Sequence, residues 1–166
     1  DFDVVFVLGY TKLISTKVIS ECEHIFVIHE SNLPDGRGFS PLQWQILEGK
    51  NRIKACLLKV ANGVDTGDII EHTEIFLDGT ELHSDIRKKQ AGATIELIGR
   101  FLAKFPEYQT YQQVGCPTYY RKREIADSEL DVDKTIREQF NLLRICNNKD
   151  WPAFFEINGE KYVVQI

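Results

Sequence analysis

Ile25-Phe26-Val27-Ile28-His29-Glu30-Ser31-Asn32-Leu33-Pro34-Asp35-Gly36-Arg37-Gly38-Phe39-Ser40-Pro41 contains the turning points on which the fold of this chain depends. Its first four residues are apolar without a break, the pattern of a strand buried on both faces, as in a parallel sheet. That strand delivers His29 at its carboxyl end, where open parallel sheets place their ligands. Glu30 to Phe39 is rich in Pro and Gly and reads as a loop. Ser40-Pro41 then supplies an N-cap and a proline at the first helical position; the helix runs through Trp44, Ile46 and Leu47 and stops at Gly49.

Upstream, Val4 to Leu8 is a second unbroken apolar run, following directly on Asp1-Phe2-Asp3. A strand of that kind needs neighbours on both sides. Only Ile25 to Ile28 and Ala55 to Val60 compare with it downstream, so an earlier strand, helix and strand are expected to be missing from the N-terminal end. Gly9-Tyr10 marks a turn, and Ser15 or Thr16 can cap a short helix that ends near Cys22. Downstream, Ala55 to Val60 reads as a strand, Gly63 to Gly67 as a turn, and Asp68 to Leu77 as an alternating strand. Glu81 to Lys104 is the longest predicted helix, with Leu82, Ile86, Ala93, Leu97, Phe101 and Phe105 on one stripe. Pro106 closes it, and a polar segment dotted with aromatics follows to Arg123. A helix capped by Asp133 and running from Lys134 to Cys146 is expected, then a hairpin of Phe154 to Ile157 and Tyr162 to Ile166 around Asn158-Gly159. The fold class is therefore α/β: a doubly wound, Rossmann-like, mostly parallel sheet with a small C-terminal helix and hairpin. Residues 1–106 form the core and 107–166 an extension packed on it.

A length of 166 residues suits one domain with one sizeable core. Twenty basic residues against 25 acidic ones, a net charge of -5, argue against a surface built to grip nucleic acid in bulk. No apolar run spans a bilayer and no secretion signal is evident, which places the chain in the cytoplasm. Cys22, Cys56, Cys116 and Cys146 are too widely spaced for a zinc set, so no metal is expected.

A histidine at a strand mouth, with the Gly-bracketed turn Val64-Asp65-Thr66-Gly67-Asp68 before the next long strand, can be oriented by a carboxylate. Such a pair works as general acid or base. The competing reading is a structural histidine. His24, His72 and His83 have no acidic partner in the sequence pattern and are read as structural. Arg37 can hold a substrate phosphate or carboxylate, but a loop arginine is more often a solvated charge or a clamp on local carbonyls. Trp44 falls on the buried face of its helix. Tyr119 and Tyr120 can stack on a base or sugar. Arg121-Lys122-Arg123 can meet a nucleotide phosphate or form an ordinary surface run.

The loop string from His29 to Pro41, with Trp44 after it and Val64-Asp65-Thr66-Gly67-Asp68-Ile69-Ile70 beyond, resembles the folate-dependent formyltransferases. Members include methionyl-tRNA formyltransferase, glycinamide ribonucleotide formyltransferase and the bacterial sugar N-formyltransferases. The family pattern is Asn-x-His-x-Ser-x-Leu-Pro, an Arg-Gly, a Pro-led helix and Asp-Thr-Gly-Asp-Ile. The resemblance implies attack of an amine on the formyl carbon of 10-formyltetrahydrofolate through an anionic tetrahedral intermediate. His29 then stabilises the oxyanion or takes the amine proton, and Asp65 holds and polarises His29. Lys12, Leu13 and Ile14, with Ala61, Asn62, Gly63, Val64 and Asp65, are implied to line the pterin site. The chain departs from the family at Val27, where the pattern has its amide; Asn32, a backbone amide, or a protonated His29 alone are the replacements considered.

Tyr119 to Asp131, Phe140 to Arg144 and Trp151 to Phe154 are similar to the region that follows the catalytic domain in the sugar enzymes. That likeness implies a nucleotide-linked amino sugar as acceptor, for surface glycan synthesis and with nonulosonic sugars among the candidates. Arg37, Tyr119 and Arg121 are then substrate contacts, and a homodimer is expected. The acidic balance disfavours a methionyl-tRNA acceptor, and the segment from Glu107 onward disfavours glycinamide ribonucleotide. The rival from another class is a folate- and sugar-nucleotide-binding module of little or no activity, motivated by Val27.

Overall fold

The computed structural model describes residues 3–10, 12 and 14–166. The chain runs β1 (Val5–Val7), α1 (Thr16–Glu21), β2 (Ile25–His29), β3 (Arg37–Gly38), α2 (Pro41–Leu47), β4 (Arg52–Lys59), β5 (Ile69–Phe76), α3 (His83–Leu102), β6 (Tyr119–Tyr120), a 3-10 turn (Ile125–Ser128), α4 (Phe140–Ile145), β7 (Ala153–Ile157) and β8 (Glu160–Val164). Among the described residues the main sheet has the order β1-β2-β4-β5. β1 and β2 are parallel, while β2 with β4 and β4 with β5 are antiparallel.

The architecture is the expected α/β, but the sheet is mixed where a mostly parallel one was expected. β4 runs back beside β2, and antiparallel strands can be buried on both faces as parallel ones are. An unbroken apolar run reports burial on two faces and says nothing of strand direction.

Both faces are covered. Phe26, Ile53, Ala55, Leu57 and Ile75 pack with Leu42 and Ile46 of α2 and with Ile86, Ala93, Leu97 and Phe101 of α3. On the opposite face Val27, Cys56, Leu58 and Ile69 pack against Leu33 of the loop after β2. A register shift between Leu57 and Leu58 places Ile69 opposite Leu58 on that second face.

Several local expectations change. Ser15 caps α1, its side chain accepting from the Val18 N–H. Ser40 does not cap α2: it sits at φ 51 and only its carbonyl serves the helix, accepting from Trp44 N–H, while Pro41 holds the first position. Trp44 is half-buried rather than on the core side, donating Nε1–H to Arg121 O. Leu82 lies outside α3 and is exposed. The helix expected from Lys134 begins only at Phe140, because Asp131, Thr135 and Glu138 side chains accept backbone N–H groups and hold a turn there. β7 and β8 form the expected hairpin, with Asn158 and Gly159 both at positive φ. The segment after α3 is fastened to the sheet unit by α4, which packs on α2 and α3, and by the buried pair Arg144 and Glu81 at 2.9 Å.

Candidate active site

His29 ends β2 on the face away from α3 and is 5% exposed. Its Nδ1 lies 3.3 Å from Asp65 Oδ2 and its Nε2 lies 2.7 Å from the Gly36 carbonyl. Both partners are acceptors only. A neutral imidazole has one N–H and serves one of them; the doubly protonated ring serves both. In that state His29 offers positive charge and a proton. For Nε2 to reach a substrate, the Gly36 carbonyl must give way while Asp65 keeps its hold on Nδ1.

Asp65 stands in the left-handed region at φ 52, which aspartate tolerates better than most residues. Its Oδ2 also accepts the Gly38 N–H at 2.9 Å, so the loop after β2 and the turn before β5 are joined through one carboxylate oxygen. Gly36 and Gly38 lie at φ 72 and 103, and the backbone comes so close to Tyr120 there that no side chain fits. A Cβ at Gly36 would stand 2.8 Å from Tyr120 Cε2, and one at Gly38 would overlap the Tyr120 carbonyl.

The later segment holds this loop in place. β3 pairs with β6 in parallel, and Gly36 N–H donates to Thr118 Oγ1 at 2.8 Å. Gln113 is the central link. Its Oε1 accepts from Nε and Nη2 of Arg37, at 3.1 and 2.6 Å, and its Nε2 donates to the carbonyls of Asp65 and Gly67, each at 2.8 Å. Ser31 is 1% exposed, and its Oγ has no partner among the described residues. The Cys56 thiol opposite His29 is pushed up by burial to about 11 and donates to Ser31 O, so it stays protonated and is no nucleophile.

Gln113, Thr118 and Ser31 escaped the sequence reading. The glycines bracketing Arg37 were the signal for tight backbone approach there, whereas nothing in the pattern singled out Gln113. Of the predicted catalytic set, the structure joins His29 and Asp65 but not Asn32. Asn32 is exposed and lines a separate cleft with Lys50, Arg52 and Glu74. Of the predicted pterin residues, Leu13 lies outside the described residues; Lys12 is exposed and Ile14 half-buried. Ala61, Asn62, Gly63 and Val64 form the turn leading to Asp65. Asn62 O accepts from Thr66 Oγ1, and Val64 and Asp65 form a hydrogen-bonded turn.

The three predicted substrate contacts are engaged within the chain. Arg37 is held by Gln113 and, at 3.3 Å, by Tyr119 OH. Arg121 forms an ion pair with Asp127 and lies over the Trp44 ring at 4.7 Å. Arg37 bonds no local carbonyl among the described residues; its partners are side chains 76 and 82 residues further along the chain. Among the described residues no group of three or more His, Cys, Asp or Glu could hold a metal ion. Nor is any helix there long and apolar enough to cross a membrane.

Residues 1–101, with the His29 and Asp65 pair inside them, match the Formyl transferase family. The chain belongs to that family. A methionyl-tRNA formyltransferase of Francisella philomiragia subsp. philomiragia is 28% identical over 164 residues, which cover 98% of this chain and 52% of the relative. This chain thus spans about half the length of that protein. A 4-N formyltransferase from Francisella tularensis has the same fold, with a TM-score of 0.81 at 22% identity over 99% of this chain and 70% of the other. HypX from Aquifex aeolicus in complex with tetrahydrofolic acid matches 99% of this chain and 29% of its own, with a TM-score of 0.78 at 15% identity.

Proposed function

We propose that this chain carries the active site of an N-formyltransferase that moves a formyl group from 10-formyltetrahydrofolate to the amine of a nucleotide-linked amino sugar. The observation that carries the reading is the His29 pair, with Asp65 on one nitrogen and the Gly36 carbonyl on the other. The carrier supplies the formyl group. The turn from Ala61 to Asp65 is the segment that would meet the heterocycle edge, and it ends on the residue that orients His29. In this reading His29 meets the negative charge that develops on the formyl oxygen and passes a proton between the amine and the leaving nitrogen.

Residues 1–106 act as the catalytic core. Residues 107–166 form the extension that braces it, through Gln113 and Thr118. We place the reaction in the cytoplasm and expect a homodimer built through the exposed C-terminal hairpin, where Ile157, Tyr162 and Val163 face outward. For the acceptor, the net charge of -5 favours a small amine over RNA. The methionyl-tRNA enzymes among the relatives favour a second reading, with aminoacyl-tRNA as acceptor. Val27 favours a third, a binding module of low activity.

One assay separates them. The chain is mixed with 10-formyltetrahydrofolate and either a panel of nucleotide-linked amino sugars or methionyl-tRNA. Transfer to a sugar that His29→Ala abolishes supports the main reading. Transfer to the tRNA replaces the acceptor, and folate binding without transfer to any amine supports the module.

A further inference from the structure

Arg123 is a buried cation that the formyl-transfer site does not use. It is 3% exposed, yet among the described residues no carboxylate lies within ion-pair distance. One Nη donates to Ser128 Oγ at 3.2 Å and Asp127 O at 3.4 Å, the guanidinium lies over Trp151 at 5.2 Å, and Nε has no hydrogen-bond partner. The neighbouring carboxylate of Asp127 is spent on Arg121, through both its oxygens. Cys146 also faces Arg123, but burial pushes that thiol up, so it brings no negative charge. Arg144 shows what a settled buried arginine looks like in the same molecule. It is 1% exposed, with the Glu81 carboxylate at 2.9 Å and further acceptors in Glu81 O and Asn51 Oδ1. A buried charge without a counterion is costly, and Arg123 carries that cost with only neutral partners.

Arg123 lines a cavity of about 260 Å³ together with His83, Arg87, Asn147, Asp150 and Trp151. Two arginines there face one carboxylate, Asp150. His83 is the first residue of the 20-residue helix α3, whose N-cap Leu82 satisfies none of the terminal N–H groups with its side chain, so the positive end of the helix dipole meets the cavity. The Oδ1 of Asn147 is taken by the N–H groups of Lys149, Asp150 and Trp151, which leaves its Nδ2 as a donor. The field is consistent with this: burial and then Arg87 push the His83 imidazole down, against the pull of Asp150 and with a further push from Arg123.

The cavity lies among α2, α3 and α4, on the sheet face opposite His29 but toward the same end of the sheet. β5 is antiparallel to β4, which is antiparallel to β2, so β5 leads into α3 at the end of the sheet where His29 stands. Ser40 lines the cavity too, and Gly38, two residues earlier, holds Asp65 by its N–H, so that at most about 7 Å of chain separates them. A volume near the lower end of ligand pockets, about 300 Å³, suits a phosphate-bearing fragment and leaves the rest of a larger ligand outside.

We propose that this cavity binds the phosphoryl groups of a nucleotide, held by Arg123, Arg87 and the N-terminus of α3. The identity of the ligand rests on the sugar-nucleotide reading above; the anion site itself does not. The test is calorimetric titration of the whole chain with uridine diphosphate, thymidine diphosphate and inorganic pyrophosphate. Binding of at least one of them is expected. It should weaken at least tenfold in Arg87→Gln, an exposed position where folding is retained, and in Arg123→Gln where that variant folds. Lys88→Gln, beside Arg87 on α3 but off the cavity, should bind as wild type. Absence of binding by all three probes at millimolar concentration, or unchanged affinity in Arg87→Gln, overturns the proposal. His29→Ala keeps the two readings apart: it should lose formyl transfer and keep phosphate binding. A chain that binds phosphate but neither binds folate nor transfers formyl sinks the formyl-transfer reading alone.

Discussion

Val27 and His29 lie two residues apart on β2, so their side chains share a face, and Val27 packs there with Leu33, Cys56 and Leu58. An amide at position 27 would look onto the same ground as the imidazole, and an aligned donor to a developing oxyanion lowers a barrier by about 3 kcal/mol. Val27→Asn is therefore predicted to raise kcat by about tenfold to a hundredfold. It should also lower stability by about 1 to 3 kcal/mol, because the new amide enters an apolar cluster. Steady-state kinetics and urea denaturation check both; an unchanged kcat would mean that another group already fills the donor position. Gln113 is the complementary case. It touches only the chain, so Gln113→Leu should leave folate affinity nearly intact while kcat falls about tenfold to a hundredfold, as the Asp65 turn and the Arg37 loop lose register. Equal losses in binding and turnover would contradict a positioning role. The pairing of His29 with Asp65 was legible because one sits at a strand mouth and the other in a Gly-bracketed turn before the next long strand. Gln113 was not, because one polar residue in a polar stretch has no local signature, and its partners lie 46 or more residues away.

At the scale of elements, apolar periodicity located α3 and four of its six stripe residues, Ile86, Ala93, Leu97 and Phe101, in the core, while Leu82 and Phe105 fall outside the helix. Strand direction was not legible, because an unbroken apolar run reports burial on two faces whichever way the strand runs. The joint between α3 and α4 escaped the sequence as well, since Glu81 and Arg144 are 63 residues apart. Burial pushes the Glu81 carboxyl up, but hydrogen bonds from Lys89 and from the N–H groups of Asp78 and Gly79 outweigh it and hold the group at about 2, against an ordinary 4.5. A depressed folded value means that the stabilisation is full above the unfolded value and disappears as pH falls through the folded one. Glu81→Gln is thus predicted to cost about 3 to 5 kcal/mol at pH 7, because it leaves Arg144 buried without its carboxylate. Between pH 4.5 and 2 the wild type should lose most of that advantage, and the two urea midpoints should converge. Midpoints separated by the same interval at both ends of that range would show that Glu81 is not the group involved.

For the whole molecule, the turn before β5 lies at the start of that strand and reaches His29 of β2 through the Asp65 side chain, while the N-terminus of α3 follows the other end of β5. The segment beyond residue 106 threads back beside the loop that follows His29, so the site is stitched by residues from both halves of the chain. A hairpin read from Asn158-Gly159 and a core read from α3 were visible in local pattern. The threading was not, because it is made of backbone pairings between β3 and β6, each only two residues long. The central claim is that the His29 and Asp65 end of this sheet receives a formyl-bearing folate. Its most direct test is calorimetric titration of the whole chain with a non-transferring analogue of 10-formyltetrahydrofolate. The account predicts saturable binding of one equivalent, which is retained in His29→Ala and weakened about tenfold or more by Gly63→Val, a substitution in the turn that the folate would contact. No binding at millimolar analogue, or binding unaffected by the change in the turn, would contradict it.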